Sequence, residues 1–301
     1  SITTLIQMEY SAFEEATVPI CTFVLRNAPI HYTGNYLRLS DFKGGMDVQR
    51  QKVLEAQETE KCAYRFSARQ DNFEKIPGAP VAYWVSEKLF AIFNSKPKLS
   101  KFCEPKQGLI TGDNDRFLKL WFEVNGDKVA LNGEKGKKWV PINKGGEYRK
   151  WYGNHEYIVN WENDGYEIKN FFDEKGKLKS RPQNLDFNFR DALSWSLVTS
   201  GGFSVRMYDK RFAFNVAGIS CFPDKKWIIY LNGLLNCKIV SEITQILNPT
   251  LNMNAGDVAK VPIIIEKEEL VEKKASQAIK TSMEDWDSFE TSWDFKKHPM
   301  I

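Results

Sequence analysis

Two apolar, strand-like runs at residues 2–9 and 17–26 open the chain, separated by a short polar insert at 10–16. A two-stranded unit buries too little to stand alone, so the pattern predicts the closing hairpin of a larger sheet that begins before residue 1. A helix-compatible stretch follows at 47–60, with Asp47 available as N-cap and Val48, Val53, Leu54 and Ala56 as its apolar face. Ile76-Pro77-Gly78 reads as a turn, VAYWV at 81–85 as a strand or helix start, and 86–93 as helix.

Between 96 and 181 the texture changes to short aromatic-rich segments interrupted by Gly, Asn, Asp and Lys, the pattern of short strands and long loops. Core elements are then expected at 193–198, 203–207, 212–217 and 227–231. A helix is expected at 234–247, stopped by Asn248-Pro249, and a charged amphipathic helix at 266–280 ahead of an acidic aromatic tail. The fold class predicted is α+β.

Composition narrows the classes. The chain of 301 residues is 42% apolar and 13% aromatic, enough for a sizeable core. It contains no apolar run of roughly eighteen residues and no signal-peptide pattern, so a soluble, cytoplasmic protein with no membrane partner is expected. Its five cysteines are odd in number and scattered, which suggests neither a disulfide framework nor a metal site. The net charge of +3 decides little by itself. Its distribution matters more: basic residues exceed acidic ones between 96 and 181, where a polyanion would bind.

Within that basic stretch, KKWVPINKGGEYRKWYGNHEYIVNWEND at 137–164 has the composition of a nucleic-acid surface. Lys137, Lys138, Lys144, Arg149 and Lys150 can neutralise phosphates, Trp139, Tyr148, Trp151 and Tyr152 can stack or wedge, and Asn143 and Asn154 can read base edges. Gly145-Gly146 would let a phosphate approach the backbone. A basic solvated loop with its rings turned into the core fits the same residues. TGDNDR at 111–116 lacks the alternating ligands and central glycine of a calcium loop and reads as a capped turn. His155, without a second histidine nearby, reads as an exposed loop residue and gives a nuclease little support.

The stretch EYSAFEEATVPICTFVLRN at 9–27 places an aromatic in a short loop ahead of an apolar strand. This resembles the motif of amino-methylating DNA methyltransferases in which a loop aromatic, here Phe13, stacks on a flipped-out adenine. Taken alone, the loop is also served by Phe13 as one more core residue. Further stretches, KQGLITGDNDRFLKLWFEV (106–124), the 137–164 segment, SRPQNLDF (180–187), ILNPTLNMNAGDVAKVPI (246–263) and EDWDSFETSWDF (284–295), together resemble the PglX family of adenine-specific DNA methyltransferases from BREX phage-defence systems.

The resemblance implies residues 1–45 as the end of a class I methyltransferase catalytic domain, carrying the terminal β-hairpin of its sheet, and 46–95 as a helical connector. It implies 96–265 as a β-rich target-recognition domain and 266–301 as a C-terminal helical extension. It further implies Phe13 as the adenine stacker, with Arg116, Lys138, Asn143, Lys144, Arg149, Lys150, Trp151, Asn154 and Arg181 at double-stranded DNA, and other phage-defence subunits as partners. S-adenosylmethionine would be bound by the parent enzyme outside this chain, because the glycine-rich donor motif and the Asn/Asp-Pro-Pro-aromatic catalytic motif are both missing; no catalytic residue is assigned here. The alternatives are a stand-alone specificity or interaction module docking separate methylation subunits, and a nuclease fragment.

Overall fold

The computed structural model describes residues 1–10, 12–13, 18–27, 29, 31–59, 61–298 and 300–301. The chain is mixed α+β and divides into two compact units, Ser1–Ser95 and Lys96–Ile301.

In the first unit, β1 (Ile2–Gln7) and β2 (Cys21–Leu25) pair antiparallel. The sheet does not end there. β3 (Thr33–Arg38) lies parallel to β1 on its other side, and beyond α1 (Gly45–Glu58) the strand β4 (Arg65–Arg69) adds antiparallel to β3, giving the order β2-β1-β3-β4. The unit closes with α2 (Glu87–Ser95), whereas 81–85 forms neither strand nor helix. Residues 46–95 are therefore more than a helical connector, because β4 completes the sheet. Alternation along β1 and β3 fills both faces: Leu5 and Tyr36 join Phe73 and Tyr83 on one, Ile6 and Leu37 join Leu39 and Ala56 of α1 on the other.

The start of α1 corrects the expected cap. The N-cap is Gly44, at φ 128°, with no side-chain cap of its own, and Asp47 lies inside the first turn; Glu60, the last residue of the expected helix, is outside the described residues. The buried carboxylate of Glu9 accepts from the Gly44 N–H at 3.1 Å and the Gly45 N–H at 2.5 Å, which supplies acceptors to otherwise orphaned amides at the positive end of the helix. Glu9→Ala should destabilise this unit by about 1–2 kcal/mol. Denaturant unfolding of the two proteins checks it; equal midpoints would mean that water replaces the carboxylate without loss.

The second unit begins with α3 (Asn114–Phe117), a short turn whose N-cap Asp113 accepts the Arg116 N–H at 3.0 Å, then β5 (Leu118–Leu120), β6 (Trp139–Asn143), β7 (Tyr157–Asn160) and α4 (Glu162–Lys169). β8 (Ala192–Ser196), β9 (Arg206–Tyr208), β10 (Ala213–Phe214) and β11 (Gly218–Cys221) follow, giving two sheets of order β10-β6-β7-β5 and β11-β8-β9. β6 is buried along its whole length: Val140 and Ile142 join one apolar cluster, Trp139 and Ile158 another.

The helices α5 (Lys225–Leu235), α6 (Lys238–Leu247), α7 (Ala255–Val258) and α8 (Glu268–Trp286) complete the unit. Residues 227–247 thus form two helices broken at Asn236. α8 packs on α5 at Gly233, where an added Cβ would stand 3.0 Å from Ala275 Cβ, so 266–301 belongs to the body of this unit. Among the described residues no helix is long and apolar enough to cross a membrane. The five cysteines are free, with Cys103 and Cys221 buried.

Candidate nucleic-acid interface

Phe13 lies in the insert between β1 and β2, of which Ser11 and residues 14–17 are outside the described residues. Its ring is 47% exposed while the neighbouring Ala12 is buried, so Ala12 anchors the insert and Phe13 is presented to solvent. The core role that the loop alone would also allow is not the one observed.

The 137–164 stretch departs from its expected role at several positions. Asn143, offered as a base reader, is buried at the end of β6, and its amide nitrogen donates to Ser194 Oγ (2.6 Å), the Gly218 carbonyl (3.0 Å) and Ser220 Oγ (3.3 Å). These bonds tie the first sheet to β8 and β11, leaving no free amide proton for a base. Gly145 and Gly146 serve internal contacts: a Cβ on Gly145 would meet the Ala217 carbonyl at 2.5 Å, and one on Gly146 the Asn154 amide at 2.8 Å. Both have positive φ, 85° and 114°, which suits glycine.

Further along, Arg149 pairs with Asp285 on α8 at 2.5 Å and lies 5.1 Å over the Trp286 ring. Lys150 Nζ donates to the carbonyl of Asn236, the C-cap of α5, at 2.7 Å, a favourable end of the helix for a cation. The Trp151 N–H donates to Val205, and Ser282 Oγ of α8 donates to the carbonyls of Lys150 and Tyr152 at 3.1 Å each. The side chains of Arg149 and Lys150 are thus engaged with α8 and with the end of α5, while Trp151 is joined to Val205 through its backbone. Asn154, at φ 60°, closes its own loop by donating to the Glu147 carbonyl at 2.9 Å. Lys144 Nζ sits 3.9 Å from the Tyr157 ring centroid, and Lys138 pairs with Glu162 at 3.0 Å. Of this stretch, Tyr148 stays open, beside a cleft of about 480 Å³ lined by Gly146, Glu147 and the loop 198–201.

His155 is buried, not exposed: its ring lies 4.6 Å from Tyr152, 4.7 Å from Phe212 and 6.4 Å from both Trp286 and Trp293, and Nδ1 has no hydrogen-bond partner. Burial, aided by the positive charge of Arg206, holds its pKa down at about 3. A neutral ring enclosed in this way has no access to a substrate phosphate. Arg206, not among the residues expected at a site, is also buried. It donates to the Arg149 carbonyl (3.2 Å) and Ser196 Oγ (3.1 Å), and burial brings its pKa down to about 10. Alternation of Val205, Arg206 and Met207 would place it on a solvent face, so nothing in the sequence signals its burial.

Two further predicted DNA contacts lie outside this stretch in sequence. Arg116 reaches over the Phe171 ring (5.0 Å) and pairs with Glu167, while exposed Arg181 is held by paired backbone bonds to Ile110. Among the described residues no cluster of three or more His, Cys, Asp or Glu is placed to hold a metal.

No protein-family profile matches the chain. Curated sequences do. The chain is 35% identical over 302 aligned positions, 96% of its length, to an adenine-specific methyltransferase PglX of Lacticaseibacillus casei (strain Zhang), and 39% identical over 236 positions, 77% of its length, to an adenine-specific methyltransferase BrxX of Escherichia coli O9:H4 (strain HS). By sequence the chain belongs to the PglX family.

The relationship covers only part of those relatives: 25% of the PglX protein and 19% of BrxX. In fold, this PglX-family chain is similar over 99% of its length to 40% of the Type IIL restriction-modification enzyme MmeI, solved in complex with DNA, with a TM-score of 0.50 and 12% identity.

Proposed function

We propose that this chain is the DNA-target-recognition portion of an adenine-N6-specific DNA methyltransferase of a phage-defence system, acting on double-stranded DNA in the cytoplasm alongside other defence subunits. The observation that carries the reading is the 96% coverage of the chain by a stretch of an adenine-specific methyltransferase. In this reading the second unit recognises the duplex, and Phe13 in the first receives the extruded adenine, whose lost stacking an aromatic face replaces. The edge strand β2, exposed at all five residues, is where the class I catalytic sheet continues.

S-adenosylmethionine is bound elsewhere in the whole protein. The Gly44-Gly45 turn ahead of α1 would be a natural anion cradle, but its amides are taken by Glu9, so it does not fit the donor's carboxylate. Exchanging the whole second unit, residues 96–301, between two family members of different specificity tests the assignment. The methylated sequence, read by methylation-sensitive sequencing, should follow the source of 96–301; a site that follows the rest of the protein instead would overturn it.

A further inference from the structure

We propose that the phosphate-contacting track of this chain runs along residues 175–181, KGKLKSR, and not along 137–164. The inference rests on the DNA-recognition reading above and locates the contact within it. Lys177, Lys179 and Arg181 are exposed while the intervening Leu178 and Ser180 turn inward, Ser180 donating to the Ile168 carbonyl. Alternate residues of an extended segment lie on one side about 6.5–7 Å apart, a spacing comparable with the step between neighbouring phosphates of one strand.

The segment is fixed on both flanks. The Lys177 carbonyl accepts the Asp173 N–H, the Lys179 N–H donates to the Phe171 carbonyl, and Arg181 exchanges two backbone bonds with Ile110. The Asp173 carboxylate accepts the Lys175 and Lys177 N–H groups at 2.9 and 2.8 Å, which shapes the turn carrying Lys175. A cation on such a support loses little further backbone freedom when it meets a phosphate.

Charge pairing separates the two stretches. Lys138 and Arg149 are neutralised by carboxylates, Lys150 caps a helix, and Lys144, which has no carboxylate partner among the described residues, is left as a single cation lying over the Tyr157 ring. Among the described residues Lys175, Lys177, Lys179 and Arg181 have no carboxylate within ion-pair distance. Lys179 approaches the Phe171 ring at 4.5 Å, and the exposed ring of Phe172 stands beside it; Arg116, 5.0 Å from the same ring, is paired with Glu167 and stays outside the track. Unpaired cations interleaved with aromatic rings are what a nucleic-acid backbone requires.

The test measures binding of the full-length protein to a random-sequence duplex oligonucleotide between about 50 and 200 mM salt. The triple variant Lys177→Ala, Lys179→Ala, Arg181→Ala should flatten the dependence of log affinity on log salt by roughly 0.9 for each lost contact, so by about 2 to 3 in all. The variant Lys177→Arg, Lys179→Arg, Arg181→Lys should keep the parental slope, and removing three exposed lysines of the helices, Lys225, Lys226 and Lys238, should leave it unchanged. An unaltered slope in the first variant, or an equal fall with the helix lysines, would overturn the track while leaving DNA recognition standing. Absence of duplex binding by the parental protein would overturn both.

Discussion

Phe13→Ala in the full-length enzyme should slow single-turnover methylation by roughly tenfold to a hundredfold while duplex affinity changes little. The ring acts after the duplex is bound: an adenine taken out of the stack loses contacts on both faces, and an aromatic neighbour restores about 1–3 kcal/mol per base. Each tenfold in rate corresponds to about 1.4 kcal/mol. Because the ring is 47% exposed and belongs to no buried cluster, alanine should leave the melting temperature in place, unlike a core phenylalanine, whose truncation costs about 3–5 kcal/mol. Phe13→Tyr and Phe13→Trp should recover much of the rate, since a flat π-face is the requirement. Full-speed methylation by the alanine variant would remove Phe13 from the adenine pocket.

The same comparison of exposure and partners explains what was legible in the sequence. The β1–β2 pair could be read from two apolar runs around a polar insert. β3 could not: in TGNYLR the informative residues are Tyr36 and Leu37, adjacent in sequence and buried on opposite faces, so no run or alternation stands out. The two helices α5 and α6 read as a core run and one later helix because their break depends on a tertiary contact. The Asn236 amide donates to the Val205 carbonyl at 2.8 Å, and its oxygen accepts the Val205 N–H at 2.9 Å.

That several residues of the candidate interface have partners inside the fold was hidden for a related reason. Lysine, arginine and aromatic residues at 137–164 look alike whether they face a phosphate or a neighbouring helix, and here the partner of Arg149 is 136 residues away, at Asp285. Exposed cations on an extended segment pinned by bridges at Leu178 and Arg181 leave a period-two signature instead, and KGKLKSR carries it within a segment that otherwise reads as loop. Charge composition located the basic half of the chain, but only the pairing of each charge separates a fold-holding cation from one available to DNA.

His155 should make the stability of the second unit fall on acidification. Its folded pKa lies at about 3, whereas an unfolded chain offers the ring its ordinary value of about 6.5. Between those values the unfolded state binds a proton that the folded state excludes. Stability from this residue is therefore full above about pH 6.5 and declines as pH falls, by up to about 1.4 kcal/mol per pH unit, until about pH 3. His155→Leu keeps an apolar filling among Tyr152, Phe212 and Trp293 and has nothing to titrate. Relative to their difference at neutral pH, the variant should gain about 2 kcal/mol on the parent by about pH 5, with the carboxylates common to both proteins cancelling in the comparison. Denaturant unfolding at several pH values measures this directly. Parallel pH profiles for the two proteins would mean that water or a proton reaches the ring in the folded state, so that the cage formed with Trp286 and Trp293 opens without global unfolding.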